Sequence, residues 1–310
     1  MKSRKTITDN DLRLARIFCK IVECGGVAAA EADLGVGRST ISRQLQDFET
    51  RLGLVLCERG RGGFRLTQAG VQVLGYVETL LASVDDFATE IASLSLHLEG
   101  RLRIGLIDCS FTDPANPIDR IFKQFQSAAP NVRLDISVGS AKELERRVLD
   151  GKLHFAVVPE YWFNDELNYI GLYQEKVGLF AGRDHEVAKA ILAGQPLSKT
   201  EIQEHSLVFR SFPEPTALQR RKAGFAQGAS ILYTEAVYSL VASGCHLGFL
   251  PVHLASEPEG KLLEILPEEF GYEMAVCLVS RQDRQHSVIL QRFLNAVRTV
   301  CFPAGVVASR

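Results

Sequence analysis

The sequence predicts an α/β chain in three parts: an N-terminal winged helix-turn-helix over residues 1–67, a long linker helix over 68–99, and a two-lobed α/β body over 100–310. Three observations carry this reading. Short helical stripes and a glycine–arginine hairpin fill the first part. Residues 69–98 then contain no proline. From residue 100 on, strand-like apolar runs alternate with amphipathic helical ones, the pattern of a parallel sheet.

In "DLRLARIFCKIVECGG", Leu14, Ile17, Phe18, Ile21 and Val22 recur at the spacing of a core-facing helix. Thr8, Asp9 or Asn10 is placed to cap it, and Gly25 and Gly26 to end it. "VAAAEADLG" reads as a short second helix, with small side chains that permit close approach, stopped by Gly35. In "VGRSTISRQL", continued to Gly53, residues Ile41, Leu45, Phe48 and Leu52 form one stripe. At about 100° per residue the opposite face centres on Ser39, Arg43, Gln46 and Thr50, flanked by Ser42. Arg38 and Thr40 lie toward its amino-terminal end. Hydrogen-bonding residues on a helix anchored by its other side suit the DNA major groove. There arginine bridges guanine O6 and N7, and serine or threonine takes base edges or phosphates.

"LCERGRGGFRLTQAG" interleaves Arg59, Arg61 and Arg65 with Gly60, Gly62 and Gly63, turn chemistry that predicts a hairpin. Its arginines are expected to face the phosphate backbone or the minor groove. An ordinary three-helix domain with a solvated polar face is the competing reading. The coincidence of a tight turn, a Ser/Thr/Arg face and an arginine hairpin weighs against it.

Charge agrees. The formal net charge is −2, yet residues 1–66 sum to +4 and the remainder to −6. A basic head on an acidic body points to a polyanionic partner for the head alone. The seven cysteines are dispersed without a CxxC pair, which argues against a zinc ribbon and suits reduced thiols in a cytosol. No apolar segment follows "MKSRKTITDN", and no run approaches the ~18 apolar residues of a membrane span. A soluble, cytoplasmic protein is expected.

Within the head, "GGVAAAEADLGVGRSTISRQLQDFETRLGLVLCERGRGGFRLTQAG" resembles the DNA-binding domain of LysR-type transcriptional regulators. The match is densest in "STISRQL", "FETRLG" and "RLTQAG". The family usually carries Ser-Gln where this chain has Gly37–Arg38, so Arg38 is expected to alter base preference. The resemblance implies base or backbone contacts by Arg38, Ser39, Ser42 and Arg43, and backbone contacts by the wing arginines.

In the linker, Leu74, Val77, Leu81, Val84, Ala88 and Ile91 alternate steps of three and four residues, a coiled-coil seam. Pairing with a second copy is preferred over packing on the chain's own body. A two-fold dimer presents two recognition helices to a pseudo-palindromic operator. The resemblance suggests dimers of dimers.

The body opens with strand, helix, strand, helix, strand: "GRLRIGLID", residues 117–128, "NVRLDISVG", "SAKELERRVLDG" and "KLHFAVVP". A further α/β stretch includes "KVGLFAGRDHEV", "HSLVFRSF", "EAVYSLVASG" and "HLGFLPVHLA". "YEMAVCLVS" reads as a returning strand, and a last helix covers residues 287–300. Lobe I is expected at about 100–163 and 268–310, and lobe II at about 164–267, making a clamp. This part resembles the family's effector-binding domain, whose fold is like that of periplasmic solute-binding proteins. "GKLHFAVV" places His154 where the family usually has Asp, while "GCHLGFLP" keeps the family's glycines and proline.

Ligands of such sheets sit beyond the carboxyl ends of strands. Those ends are 108–112, 139–140 and 159–162. Ser110, Thr112 and Ser140 would offer hydroxyls, and nearby helix N–H groups favour an anion. Arg210 would pair a carboxylate, and Phe111, Tyr161 and Trp162 would supply aromatic walls. Each has a plainer reading: helix caps for Ser110 and Thr112, a surface charge for Arg210, a core ring for Trp162.

Catalysis is not expected. Cys245 and His246 are adjacent and point apart in a helix or strand. GxSxG and P-loop motifs are absent, and His154, His185 and His205 lack metal spacing. No cofactor or metal is expected. The partners implied are double-stranded DNA, a small effector such as an organic anion, further copies of the chain, and RNA polymerase. A cytosolic solute-binding protein without a DNA role is the alternative.

Overall fold

The computed structural model describes the chain apart from residues 1–5, 61–62, 94–97, 212–213, 215, 256–259, 283–286 and 303–310, and apart from the side chains of 59, 60, 92 and 93. It divides into two units, Met1–Thr89 and Glu90–Arg310.

In the first unit, α1 (Asp9–Glu23) starts at Thr8, whose backbone N–H donates to Asp11 Oδ2 at 2.8 Å. Helix α2 (Glu31–Leu34) is shorter than the sequence suggested. Gly25 and Gly26 turn the chain at φ 74° and 147°, and residues 27–30 are spent as turn before helical geometry returns. Gly35 ends α2 in the left-handed region, φ 64°. Helix α3 (Arg38–Leu52) follows, then the hairpin β1 (Cys57–Gly60) and β2 (Gly63–Leu66), antiparallel with Cys57 opposite Leu66, and finally α4 (Gln68–Ser93).

The core of this unit gathers Leu14, Phe18 and Ile21 of α1, Ile41, Leu45 and Phe48 of α3, Leu56 before the wing, and Val77 of α4. The Phe18 and Phe48 rings lie 5.8 Å apart. Glu49 ties helix to wing: its Oε1 accepts from the backbone N–H of Leu56 at 2.8 Å and of Cys57 at 3.1 Å. Arg51 closes the other end of α3 onto α1 through Asp11 and Thr8. The hydrogen bonds from Arg51 and Thr8 hold the Asp11 carboxyl well below the usual range.

Two glycines of α4 have opposite roles. A Cβ on Gly70 would meet the Leu56 carbonyl oxygen at 2.0 Å, a backbone atom that cannot yield without moving the wing. A Cβ on Gly75 would meet nothing within 4 Å. Alanine in a helix is favoured over glycine by about 1 kcal/mol. Gly75→Ala is therefore expected to stabilise the chain by about 0.5–1 kcal/mol, whereas Gly70→Ala costs about 1–3 kcal/mol through the clash. Thermal melts of the two variants decide this, and a Gly70→Ala chain as stable as the parent would contradict the close approach.

The expected coiled-coil seam is not one continuous exposed stripe. Val77 lies inside the core of the unit, with Leu74 and Leu81 packed against it, because α4 runs alongside the helices of its own head. Val84 is half-buried, and only Ala88 and Ile91 of that seam are exposed. The exposed apolar side chains of α4 include Tyr76, Phe87 and Ile91. They are eleven and four residues apart, so they share one face at about 100° per residue.

The second unit carries β3 (Gly100–Ile107), α5 (Ile118–Ala128), β4 (Val132–Gly139), α6 (Ala141–Leu149), β5 (Phe155–Pro159), β6 (Leu167–Gly182), α7 (Glu186–Leu192) and α8 (Lys199–Gln203). It continues through β7 (Ser206–Arg210), α9 (Thr216–Arg221), β8 (Ala226–Ile231), α10 (Thr234–Ala242), β9 (Leu247–Pro251), β10 (Leu262–Glu264), α11 (Pro267–Phe270), β11 (Tyr272–Arg281) and α12 (Val288–Cys301). The strand order is β4-β3-β5-β11-β6-β9-β7-β8, with β10 on β6. Strand β3 pairs in parallel with both β4 and β5, while β11 runs antiparallel to β5 and β6.

Strands β6 and β11 are long enough to serve both lobes. Leu167, Tyr169 and Ile170 of β6 pack with lobe I, whereas the lobe II core begins at Val177. On β11, Tyr272 and Met274 pack with lobe II and Val276 onward with lobe I, across a register shift at Val276/Cys277. The lobe boundaries therefore fall near 174–176 and 275 rather than at 164 and 267. In lobe I, Phe293 of α12 sits on Phe125 and Phe155 with centroids 5.5 and 5.0 Å away.

Candidate DNA interface and ligand cleft

On α3 the buried residues are Ile41, Leu45 and Phe48. Arg38, Ser39, Thr40, Arg43 and Gln46 are exposed, and Ser42 is half-buried beside them. The helix is aimed by its neighbour: the backbone N–H of Arg38 donates to the Glu31 carboxylate of α2 at 2.5 Å. That bond satisfies one of the unpaired amides that every helix start leaves. Lys20 of α1 pairs with Asp33 of α2 at 2.9 Å, fixing the helix before the turn. In the wing, Arg65 is exposed opposite Glu58. Arg59 lies on β1, its side chain outside the described residues, as is Arg61.

In the second unit, the carboxyl ends of strands from both lobes converge on one cleft. Lobe I contributes Ile107, Asp108, Ser140, Pro159 and Tyr161; lobe II contributes Arg210, Leu232, Thr234, Phe249 and Pro251. Its enclosed space is about 60 Å³, room for a handful of water-sized groups. Arg210 is fixed by hydrogen bonds from Nη1 to the Leu232 carbonyl (3.1 Å) and from Nη2 to Thr234 Oγ1 (2.7 Å). The N–H of Thr234, at the start of α10, donates to the carboxylate of Asp108 from the other lobe. A carboxylate thus sits on a helix start beside residues that orient an arginine, the chemistry of an anion seat. Lys222 and Glu214 form a buried pair at 2.6 Å and compensate each other.

Of the ligand residues expected from sequence, Ser140, Tyr161 and Arg210 line this cleft, and Ser110, Phe111, Thr112 and Trp162 do not. After β3 the chain passes through Cys109 at φ 58° into a short 3-10 turn. That turn carries residues 110–112 away and leaves Asp108 at the strand end. Ser110 is buried, Phe111 is 80% exposed, and Thr112 bonds His253. Trp162 stacks on Tyr161 at 5.6 Å and donates to Glu145 Oε2 at 3.2 Å. His154, the departure from the family pattern, is buried, and its Nδ1 accepts from the Arg103 backbone N–H at 3.0 Å. It holds the start of β5 to β3. Asp108 opens the strand end 108–112 to which the sequence pointed, but a lone acid after a strand has many roles and it was not among the ligand groups expected there.

A helix-turn-helix with a wing, a long helix, and two α/β lobes closing on a polar cleft define a ligand-responsive DNA-binding regulator. Residues 96–302 match the LysR substrate binding domain, and residues 12–71 match the bacterial regulatory helix-turn-helix protein, lysR family. The chain belongs to the LysR family of transcription regulators, with a DNA-binding head and an effector-binding domain. It is 38% identical over 293 residues to the HTH-type transcriptional activator BauR of Pseudomonas aeruginosa, covering 94% of this chain and 95% of that one. It is 26% identical over 294 residues to the SDS degradation transcriptional activation protein of a Pseudomonas species, covering 89% and 91%. Among solved structures, CbnR, a LysR family transcriptional regulator, aligns with a TM-score of 0.65 at 19% identity, over 94% of this chain and 99% of that one. Full-length CbnR complexed with its target DNA aligns at 0.64 and 19%, over 93% and 99%, a likeness of fold. No described helix is long and apolar enough to cross a membrane.

Proposed function

We propose that the chain works in the cytoplasm as a homodimer or dimer of dimers on a pseudo-palindromic operator, and that a small organic acid in the cleft resets how its subunits are placed. The observation that carries the DNA part is the exposed face of Arg38, Ser39, Thr40, Arg43 and Gln46, backed by the buried Ile41, Leu45 and Phe48. Ser42 adds a hydroxyl at its edge, and the wing arginines Arg59, Arg61 and Arg65 supply phosphate contacts. Self-association is supported by Tyr76, Phe87 and Ile91, exposed along α4. It is further supported by an apolar groove at Tyr76, lined also by Ile7, Phe48, Leu52, Val73 and Leu80. Burying one such aromatic side chain is worth about 1.5–3 kcal/mol. Placement of the subunits then governs DNA bending or contact with RNA polymerase.

The effector reading rests on Arg210 and on the helix start that Asp108 already occupies. An incoming carboxylate replaces or joins that of Asp108, and so favours one lobe arrangement over another, as any allosteric ligand must. Asp108 and Glu175 line the same cleft, which favours an acid that also carries a hydroxyl or ammonium donor. Enzymatic activity forms no part of this reading. Cys245 is exposed and His246 Nδ1 bonds Ser206 Oγ at 2.8 Å, so the neighbouring thiol and imidazole serve separate contacts.

The test is a titration of small organic acids against the full chain, read by melting temperature and by Trp162 emission. Trp162 stacks on the cleft residue Tyr161. A ligand at one hundred times its Kd stabilises by about 2.7 kcal/mol. Arg210→Ala is expected to remove the response to the same acid while operator binding without the acid is retained. An Arg210→Ala chain that responds like the parent would sink the assignment.

A further inference from the structure

We propose that Asp113, Glu175 and His253 form a binding site for a divalent transition-metal ion of the zinc class, placed where the two lobes join. The three residues are 62 and 78 positions apart in sequence and are brought together by the hinge. Asp113 follows the 3-10 turn after β3 in lobe I. His253 lies on the turn after β9 in lobe II. Glu175 sits on β6 between the two cores.

Their ligand atoms all lie within 4.8 Å of one another. His253 Nε2 is 3.6 Å from Glu175 Oε1 and 4.0 Å from Asp113 Oδ2, and the three side chains are only 5–8% exposed. Those separations are too long for hydrogen bonds. Among the described residues Nε2 has no hydrogen-bond partner, a costly state for a buried polar atom. The other ring nitrogen, Nδ1, is 2.8 Å from Thr112 Oγ1. A metal-bound histidine characteristically spends its second nitrogen in this way, which fixes the ring and turns the first nitrogen toward the ion. Asp113 is held likewise: Oδ1 accepts from the Ala115 N–H at 2.8 Å, and Oδ2 faces the imidazole.

The electrostatics call for a cation. Among the described residues, no lysine or arginine lies within salt-bridge distance of either carboxylate. The buried Tyr173 hydroxyl also has no hydrogen-bond partner among the described residues. One nitrogen and two carboxylates suit zinc and its neighbours rather than calcium or magnesium, which favour all-oxygen shells. Zinc bonds of about 2.0–2.2 Å set tetrahedral ligands roughly 3.3 Å apart. The observed 3.6 and 4.0 Å would contract by about 0.3 and 0.7 Å, and the two carboxylates, which lie within 4.8 Å of one another, would close in on the ion with them. A pocket of about 410 Å³ lined by Thr112, Asp113, Gln174, Lys176 and His253 lies beside the cluster. Because the donors come from both lobes and the strand between them, a bound ion ties the lobe arrangement down. The site stands whether or not the cleft takes an organic acid.

The experiment is titration of Zn²⁺, and separately Co²⁺, into the chelator-stripped full-length protein. Expected are one ion per chain at micromolar affinity or better, a raised melting temperature, and a cobalt spectrum without thiolate charge transfer. Thr112→Val touches an exposed residue and keeps the fold. It should weaken binding by about 10–100-fold, and His253→Gln and Glu175→Gln should abolish it. No ion bound by the parent chain overturns the proposal, as does undiminished binding in all three variants or a thiolate signature. A parent chain that binds no metal but melts with a pH dependence lost in Glu175→Gln would identify a plain ion pair, and overturns it too.

Discussion

Replacing Arg43 by alanine is expected to weaken operator binding by about 1–3 kcal/mol per head, the range for one bidentate arginine–guanine contact. For a dimer engaging two half-sites this amounts to roughly 30-fold to 10⁴-fold in affinity. The expectation follows from what Arg43 does not do inside the protein. It is exposed, and it has no hydrogen bond or ion pair among the described residues. Its neighbours on the opposite side, Ile41, Leu45 and Phe48, hold the helix without it. Folding stability should therefore change by no more than about 0.5 kcal/mol. The loss should fall on the specific operator, with binding to unrelated duplex changed far less, because phosphate contacts carry no sequence information. Parallel fluorescence-anisotropy titrations against operator and scrambled duplex separate the two terms. Equal affinity of parent and variant for the operator would remove Arg43 from base reading.

The head was legible in the sequence because its information is local. A stripe at helical spacing states which side of α3 is buried, and the side left over is the candidate interface by subtraction. The same logic says less for α4. The spacing of Leu74, Val77 and Leu81 is that of a helical stripe, but spacing cannot say what a stripe packs against. Here it is the head's own core, which leaves Tyr76, Phe87 and Ile91 outside. In the body, the first three strands and two helices follow from alternation, while the start of β6 does not. Residues 167–173 mix polar and apolar side chains because that half of the strand has one face on lobe I and the other near solvent. Strand ends predicted the cleft, but a single backbone reversal at Cys109 decided which of the following residues reach it. The Asp113–Glu175–His253 cluster was invisible, since no short spacing links residues that only a hinge between lobes brings together.

Operator affinity is also expected to fall by about 10³–10⁵-fold between 50 and 200 mM salt if a dimer neutralises six to ten phosphates. The chain as a whole carries −2 and has no bulk attraction for DNA. The entire salt-dependent term must therefore come from the head, where residues 1–66 carry +4. That concentration makes the slope of log affinity against log salt a count of head contacts. Arg65 is exposed on β2 and is assigned a phosphate rather than a base. Arg65→Ala should weaken operator and scrambled duplex alike and lower the slope by about one per contact removed. Arg43→Ala should lower operator affinity with little change in slope. The two substitutions thus move different observables, and together they separate gripping from reading. A salt response that is flat, or one that Arg65→Ala leaves unchanged while operator preference collapses, would reverse the roles given to the wing and to α3.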